Sequence, residues 1–186
     1  GWLAPSTYEF PDGSTAAEQL AIMVAQTVTV LDEAGVDPED RKDVLILASL
    51  VEAEAKLDED RPKIARVFLN RLEAENGPSN GRLESDAAVS YGAQRRALFP
   101  TLAELEDAGN PYNTRLIPGL PPGPISNPGA ASITAAANPA DGPWFFFVAV
   151  NPITGETKYG VTLDDHNANV RELTAYCDAN PKDCGQ

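Results

Sequence analysis

The chain has 186 residues, and its 14 Lys and Arg against 28 Asp and Glu give a net charge of −14. This length suits one domain with a substantial core, and a composition of 42% hydrophobic and 23% charged residues argues against wholesale disorder. The acidity argues against nucleic acid as a partner. One His and two Cys cannot complete a four-ligand zinc site, so we expect neither a metal nor a cofactor.

Helix-capping signals predict most of the elements. After an extended or strand-like entry over residues 1–13, the capping box formed by Thr15 and Glu18 predicts a helix that Gly35 ends. Asp37 and Pro38 then predict the start of a second helix, running to about residue 56. Similar signals predict helices over residues 60–77, 85–91, 101–109 and 127–137. A last helix is predicted to place His166, Val170, Leu173 and Cys177 on one face.

Strand signals are confined to the last third of the chain. Residues 100–143 contain nine of the sixteen prolines, which indicates a long, stiffened loop region around the 127–137 helix. Residues 144–150 and 156–162 predict a β-hairpin around the turn at 151–155. Because no βαβ alternation is present, we predict an α+β fold in which several helices surround a buried central helix beside a small antiparallel hairpin.

We expect one domain over residues 1–186. Its parts are an entry segment with the first helix (1–36), a catalytic core (37–176) and a C-terminal tail (177–186). Cys177 and Cys184 lie in or beside that tail, and a turn between them would allow a disulfide typical of an oxidising compartment. Two unrelated thiols are the alternative.

Glu52 is the candidate general acid. It follows residues 44–51, which are apolar nearly all round, and helical geometry places it on the face of Leu45 and Ala48. Burial there would favour the protonated carboxyl that a general acid needs. Glu54 lies about 200° further round the helix, so the two glutamates cannot form a facing pair. The alternative is a surface ion pair between Glu52 and Lys56.

Other residues give weaker signals. His166 beside Asp164 and Asp165 suggests a fragment of a catalytic triad, but a half-buried, hydrogen-bonded histidine is the more common arrangement. The aromatic residues 144–147 fit strand core better than a sugar platform. Asp86 is either a second carboxylate or an acid that favours a helix dipole.

Several motifs resemble the YceG-like endolytic murein transglycosylases. They cover most of the chain in the family's order: GWLAPSTY (1–8), ASLVEAE (48–54), VFLNRL (67–72), LESD (83–86), VSYG (89–92), NPYNT (110–114), GLPPGPI (119–125), NPG (127–129), FVA (147–149) and DHN (165–167).

The resemblance implies cleavage within peptidoglycan strands, at the β-1,4 bond from N-acetylmuramic acid to N-acetylglucosamine, leaving 1,6-anhydro ends. It assigns Glu52 as acid and then base, so no second carboxylate is needed. It also implies a role in shaping or supporting the glycan cleft for a larger set of residues: Ser49, Glu54, Asn70, Glu84, Ser85, Asp86, Tyr91, Tyr112, Asn113, Thr114, Asn127, His166 and Asn167. Glu84, Arg115 and Thr157 depart from the family's usual Gln, aromatic and His residues.

The implied partners are glycan strands and, beyond them, cell-wall synthesis or elongation proteins. The resemblance further implies a location on the extracytoplasmic face of the bacterial membrane, with one transmembrane anchor and a LysM-like portion outside this sequence. Two rival functions remain: a non-catalytic peptidoglycan-binding module that recruits other proteins, and a muramidase-type hydrolase that uses Glu52 with Asp86.

Overall fold

The computed structural model describes residues 1–74, 77–95 and 100–184. Within these residues, seven α-helices and one two-stranded antiparallel sheet form an α+β fold, which confirms the predicted class. The elements follow in chain order: α1 (Ala16–Glu33), α2 (Arg41–Glu54), α3 (Arg61–Glu73), α4 (Asp86–Gly92), α5 (Leu102–Leu105), α6 (Ala130–Ala137), β1 (Phe146–Ala149), β2 (Thr157–Gly160) and α7 (Leu163–Ala179).

Helix α2 carries the longest buried run of the structure. All seven residues from Leu45 to Val51 are buried, and the helix packs against α3, α4 and α6. The apolar residues of this run join side chains of neighbouring elements in one core, among them Leu31, Phe68, Leu83 and Ile133. Because α2 is covered over this run, its C-terminal end is held rigidly where it reaches the surface.

The β-hairpin links this core to α7. Strands β1 and β2 pair with Phe146 opposite Gly160 and Ala149 opposite Thr157. The Phe147 ring packs edge-on against Phe68 of α3, with ring centroids 6.0 Å apart. The hairpin also packs against α7, so the N-terminal part of α7 is brought over the face where α3 and β1 meet.

The local capping predictions are largely confirmed. Thr15 and Glu18 form the expected capping box, Thr101 and Glu104 form another at α5, and Ser85 caps α4. The predicted start of the second helix at Asp37 was wrong, because residues 38–40 form a turn and α2 begins at Arg41.

The entry segment and the hairpin differ in extent from the prediction. Residues 1–13 form no strand. Instead the segment is tied to α1, where the Thr27 hydroxyl donates to the Trp2 carbonyl (2.9 Å). The two strands are four residues each, shorter than predicted, with Phe146–Ala149 paired to Thr157–Gly160.

At the C-terminus, a disulfide joins Cys177 on α7 to Cys184, with Cα atoms 5.6 Å apart. The last two positions of the predicted tail, 185 and 186, lie outside the described residues. In the described part of the chain, no helix is both long and apolar enough to cross a membrane.

Candidate active site

The Glu52 side chain accepts hydrogen bonds from residues of α6 and α3. Its Oε2 atom accepts hydrogen bonds from the Ser132 hydroxyl (2.7 Å), from the backbone N–H of Gly129, the N-cap of α6 (3.1 Å), and from the Arg61 guanidinium (3.2 Å). The side chain is 33% exposed. A hydroxyl, an amide at a helix N-terminus and a guanidinium all stabilise a carboxylate.

The surroundings predicted for Glu52 were therefore wrong. Instead of lying desolvated among apolar side chains, its carboxyl group is paired with a cation and hydrogen-bonded. The alternative pair with Lys56 was wrong too, because the Lys56 ammonium donates to the carbonyls of Pro152 (2.5 Å) and Ile153 (2.6 Å). The contacts of Glu52 fasten the end of α2 to α6.

Glu54 points to the other side of α2, as the helical geometry predicted, and lies in a cavity of 320 Å³. We call this the Glu54 cavity. Its lining comes from α2, α3, α4, β1, α7 and the loops that precede α4 and follow α5: Glu54, Phe68, Arg71, Glu84, Ser85, Asp86, Arg115, Phe146, Phe147, Leu163 and His166. Within it, the Ser85 hydroxyl donates to Glu54 Oε1 (2.8 Å).

Burial raises the pKa of the Glu54 carboxyl, and the nearby Asp86 carboxylate raises it further. The hydrogen bond from Ser85 and the charges of Arg71 and Arg115 oppose this shift without cancelling it. Glu54 is also the last residue of α2, where the negative end of the helix dipole favours the neutral carboxyl. The desolvated carboxyl expected at Glu52 is thus found at Glu54.

Two arginines supply the positive charge of the Glu54 cavity. Arg71 is buried, and it donates through Nε to the Phe145 carbonyl (2.8 Å) and through Nη1 to the Leu83 carbonyl. Arg115 donates through Nε to Asp86 Oδ1 (2.6 Å). The fixed arginines and Asp86 therefore surround Glu54 with charges of both signs.

His166 and Glu84 complete the polar lining. Burial, followed by the charge of Arg71, lowers the pKa of His166, so the imidazole is neutral at neutral pH. Its ring lies against Phe146 with centroids 5.2 Å apart, and its buried Nδ1 has no hydrogen-bond partner among the described residues. Glu84 has φ +56°, and its backbone N–H donates to the Thr114 carbonyl (3.0 Å).

Of the residues that the sequence singled out for a cleft, five meet here: Glu54, Glu84, Ser85, Asp86 and His166. Ser49, Asn70 and Asn113 instead hold loops. Ser49 accepts from the Ile125 amide (3.0 Å), Asn70 donates to the carbonyls of Gly142 and Trp144, and Asn113 donates to three carbonyls between residues 104 and 107.

The remaining candidates lie elsewhere. Thr114 accepts from the Ser85 amide (3.1 Å) and so positions α4 from outside the lining. Asn127 accepts from the Leu3 amide (3.4 Å), and Asn167 is exposed on α7. Tyr91 and Tyr112 line a separate cleft of 860 Å³.

Sequence reasoning missed Arg71, Arg61 and the cavity-facing side of β1. Arg71 had a signal, since it is a cation on a face of α3 that otherwise contributes Ala65 and Phe68 to the core. Phe146 and Phe147 combine the two roles considered for residues 144–147, a binding surface and strand core. Both line the Glu54 cavity, and Phe147 also packs on the core. No three His, Cys, Asp or Glu side chains of the described residues are grouped as a metal site would need.

Comparisons with known proteins agree with this architecture. The chain is 35% identical over 175 residues to the endolytic murein transglycosylase of Bacillus subtilis, covering 90% of this chain and 46% of that protein. It is 30% identical over 180 residues to the endolytic murein transglycosylase of Streptococcus pneumoniae D39, covering 92% of this chain and 32% of that protein. The chain thus spans less than half the length of these relatives.

A solved structure gives the same result. The 2.6 Å crystal structure of a yceG-like protein from Listeria monocytogenes superposes with a TM-score of 0.74 at 35% identity, covering 90% of this chain and 54% of that one. The model of the YceG-like family matches residues 1–172. With that match and these relatives, the chain belongs to the YceG-like family.

Proposed function

We propose that this domain is an endolytic lytic transglycosylase of peptidoglycan in which Glu54, rather than Glu52, is the general acid and then the general base. The observation that carries the proposal is the carboxyl group of the half-buried Glu54, which lines a cavity, accepts from Ser85 and has a pKa that desolvation raises. An acid must hold its proton near neutrality to protonate a leaving group, and desolvation meets this need. The names of the two curated relatives support murein as the substrate.

The reaction needs one carboxyl group. Protonated Glu54 gives its proton to the glycosidic oxygen as the bond from that oxygen to the anomeric carbon of N-acetylmuramic acid breaks. The 6-hydroxyl oxygen of the same sugar then bonds to the anomeric carbon, and its proton passes to the Glu54 carboxylate. The products are a free 4-hydroxyl and a 1,6-anhydro end, no water is consumed, and the acid is restored.

The other polar groups of the Glu54 cavity have defined tasks in this proposal. Ser85 orients the Glu54 carboxyl through its 2.8 Å hydrogen bond. Arg71 and Arg115 stabilise the carboxylate formed after the first proton transfer. The neutral imidazole of His166 lines the cavity and is suited to hydrogen-bond a sugar hydroxyl or acetamido group.

Glu52 is less suited to the chemistry. Three protein donors already converge on its Oε2 atom, so this oxygen is engaged in contacts within the fold. It also lies outside the lining of the Glu54 cavity. The muramidase alternative that combined Glu52 with Asp86 is disfavoured for the same reason, since only Asp86 lines that cavity.

A hydrolase is the second candidate function, because the Asp86 carboxylate lies near Glu54. Retaining and inverting hydrolases use two carboxyl groups, whereas the intramolecular reaction uses one. One oxygen of Asp86, Oδ1, is already engaged by the Arg115 guanidinium (2.6 Å), which leaves it less available to take a proton from water. This observation favours the transglycosylase.

The cellular setting belongs to the same proposal. Peptidoglycan lies outside the bacterial membrane, so we infer an extracytoplasmic location, with a membrane anchor in a longer protein and cell-wall synthesis or elongation proteins as partners. The Cys177–Cys184 disulfide supports an oxidising compartment.

Mass spectrometry of digested sacculi tests the reaction type. After purified sacculi are incubated with the protein, the new glycan ends should be anhydro-muramic acid. These ends are lighter than reducing ends by the mass of one water. New reducing ends would make the protein a hydrolase. Binding of sacculi with no new ends would favour the peptidoglycan-binding module.

A further inference from the structure

Arg115 lines the Glu54 cavity from a turn that fixes its backbone. The Arg115 amide donates to Asn113 Oδ1 (3.2 Å), and the Asn113 carbonyl accepts from the amides of Leu116 (3.1 Å) and Ile117 (2.9 Å). Asn113 is itself fully buried and donates to three carbonyls between residues 104 and 107. The base of the Arg115 side chain is therefore held in place before any ligand binds.

The Arg115 guanidinium is engaged along one edge only. Nε donates to Asp86 Oδ1 (2.6 Å), whereas Nη1 and Nη2 have no hydrogen-bond partner in the part of the chain that the structure describes. The side chain is 38% exposed, so these two groups can reach a ligand. Arg71, in contrast, is buried and donates through both Nε and Nη1 to backbone carbonyls. A guanidinium with two available N–H edges is the geometry that binds a carboxylate.

Muramic acid carries such a carboxyl group where N-acetylglucosamine has a hydroxyl. The lactyl ether on its C3 atom ends in a carboxyl that is either free or linked to a stem peptide with carboxylates of its own. In the proposed reaction the anomeric carbon of muramic acid reacts beside Glu54, and C3 lies two carbons away on the same ring. The substituent on C3 is therefore brought close to the lining of the Glu54 cavity.

The charges of the Glu54 cavity accommodate an anion better than the protein as a whole does. The net charge of −14 repels an anionic strand. Within the lining, however, the two arginines balance the charges of Glu84 and Asp86 once Glu54 is protonated. The charge of Arg115 also acts on Glu54, so the guanidinium lies within electrostatic range of the reacting group.

We propose that Arg115 determines specificity for muramic acid at the cleaved bond, by donating from Nη1 and Nη2 to a carboxylate on the C3 substituent. The inference rests on the proposed function, because the sugar concerned is the one that reacts at Glu54. Arg115 is outside the set of residues to which the family resemblance assigns a role in the glycan cleft. N-acetylglucosamine has no carboxylate there, so it would leave both donors unpaired in the complex.

Binding of strands with and without carboxylates tests this contact. The 186-residue chain carrying Glu54→Gln, which has no ionisable group at that position, is titrated with three probes. These are uncrosslinked murein strands with stem peptides, denuded strands with free lactyl carboxylates, and denuded strands whose carboxylates are converted to methylamides. We expect the addition of Arg115→Gln to weaken binding of an anionic probe about tenfold and to leave binding of the methylamide probe unchanged. The anionic probe that loses affinity shows whether the lactyl group or the stem supplies the carboxylate.

Two further variants separate the contact from a general effect of charge. Arg115→Lys keeps the charge but loses the planar pair of donors, so it should retain only part of the affinity. Lys42→Gln removes the same charge from an exposed position at the other end of α2 and should not change the affinity for any probe. Because the Arg115–Asp86 pair is partly exposed, Arg115→Gln should leave the thermal melt nearly unchanged.

The outcomes distinguish this contact from the proposed function. Unchanged affinity of Arg115→Gln for both anionic probes would overturn the contact, and so would an equal loss of affinity for the methylamide probe. Failure of the folded parent to bind any murein probe would contradict the proposed function and the inference with it. Cleavage by Glu54→Gln would refute only the assigned acid, and the same comparison would then be made through KM for the anionic and methylamide probes.

Discussion

The Ser85 hydroxyl makes hydrogen bonds to two helices. It donates to Glu54 Oε1 at the end of α2 (2.8 Å), and it accepts from the Ala88 amide (3.4 Å) as the N-cap of α4. The last residue of α2 is thereby tied to the first turn of α4. One small side chain therefore both orients the Glu54 carboxyl and caps α4. Removing the Ser85 hydroxyl oxygen should therefore change the pKa of Glu54.

Ser85→Ala should shift the alkaline limb of the pH–rate profile to higher pH. The hydrogen bond from Ser85 lowers the pKa of Glu54, so its loss raises that pKa and keeps the acid protonated over a wider range. Stability should fall by about 1 kcal/mol through the lost cap. Thr15→Ala, which removes the cap of α1, is the control and should lower stability without shifting the profile. A limb that stays in place or moves to lower pH would contradict this role.

Asp86→Asn and Arg115→Gln should shift the same limb in opposite directions. The Asp86 carboxylate raises the pKa of Glu54, so removing its charge lowers that pKa and moves the limb to lower pH. Arg115 lowers the pKa of Glu54, so its removal moves the limb to higher pH. Lys158→Gln, which breaks the exposed pair with Glu172, is the control for charge alone and should leave the profile unchanged. Shifts of the same sign in both cavity variants would be inconsistent with this electrostatic arrangement.

The two α2 glutamates should have opposite effects on stability at pH 8. Glu52→Gln weakens the interactions with Arg61 and the start of α6, so we expect a loss of about 1–3 kcal/mol. Glu54 has a raised pKa in the folded state, so the folded protein binds more protons than the unfolded chain between the two pKa values. Its contribution therefore becomes unfavourable as pH rises from the unfolded pKa through the folded one.

Glu54→Gln removes this penalty, and its melting temperature at pH 8 should equal or exceed that of the parent. The gain should shrink at pH 4, where the carboxyl is largely protonated in both states. Thermal melts of both variants at the two pH values measure this. A more stable Glu52→Gln, or a Glu54→Gln whose stability falls with rising pH as the parent's does, would contradict the assigned environments.

The disulfide should persist in protein recovered from an oxidising compartment. Thiol alkylation without reductant should add no mass, and alkylation after reduction should add two groups, on Cys177 and Cys184. Replacing both by Ser should cost roughly 2.5 kcal/mol or less, by loop-closure entropy. Because α7 has no buried residues, we expect this loss to appear as fraying of its C-terminal end, detected by hydrogen exchange, with cleavage retained. Two alkylated cysteines without reductant would argue against the bridge.

Local signals in the sequence were sufficient for the helix caps but not for the site. The caps at Thr15, Ser85 and Thr101 depend on residues three positions apart, which can be read directly. The surroundings of the two glutamates depend on distant segments. Ser132 binds Glu52 across 80 positions, and Ser85 binds Glu54 across 31. Helical geometry predicts that the two side chains point to different sides of α2. It does not predict which contacts the rest of the fold makes with each of them.

The family resemblance assigned the proton transfer to Glu52, whereas our proposal assigns it to Glu54, two positions further along the same motif at residues 48–54. The cation partners, Arg61 for Glu52 and Arg115 for Asp86, come from other motifs or other helices. These contacts join segments that are distant in the sequence, so they are visible only in three dimensions.

The release of anhydro-muramic ends from purified sacculi by Glu54→Gln and Glu52→Gln, compared at equal concentrations of folded protein, tests the central claim most directly. Glutamine keeps the shape of the side chain but can neither give nor take the proton. We predict that Glu54→Gln lowers the rate by at least the ~10²–10⁴-fold typical of one acid–base group. Glu52→Gln should retain most of the activity at a temperature below its melt. Near-normal cleavage by Glu54→Gln, with loss of cleavage by a folded Glu52→Gln, would contradict the account and assign the proton transfer to Glu52.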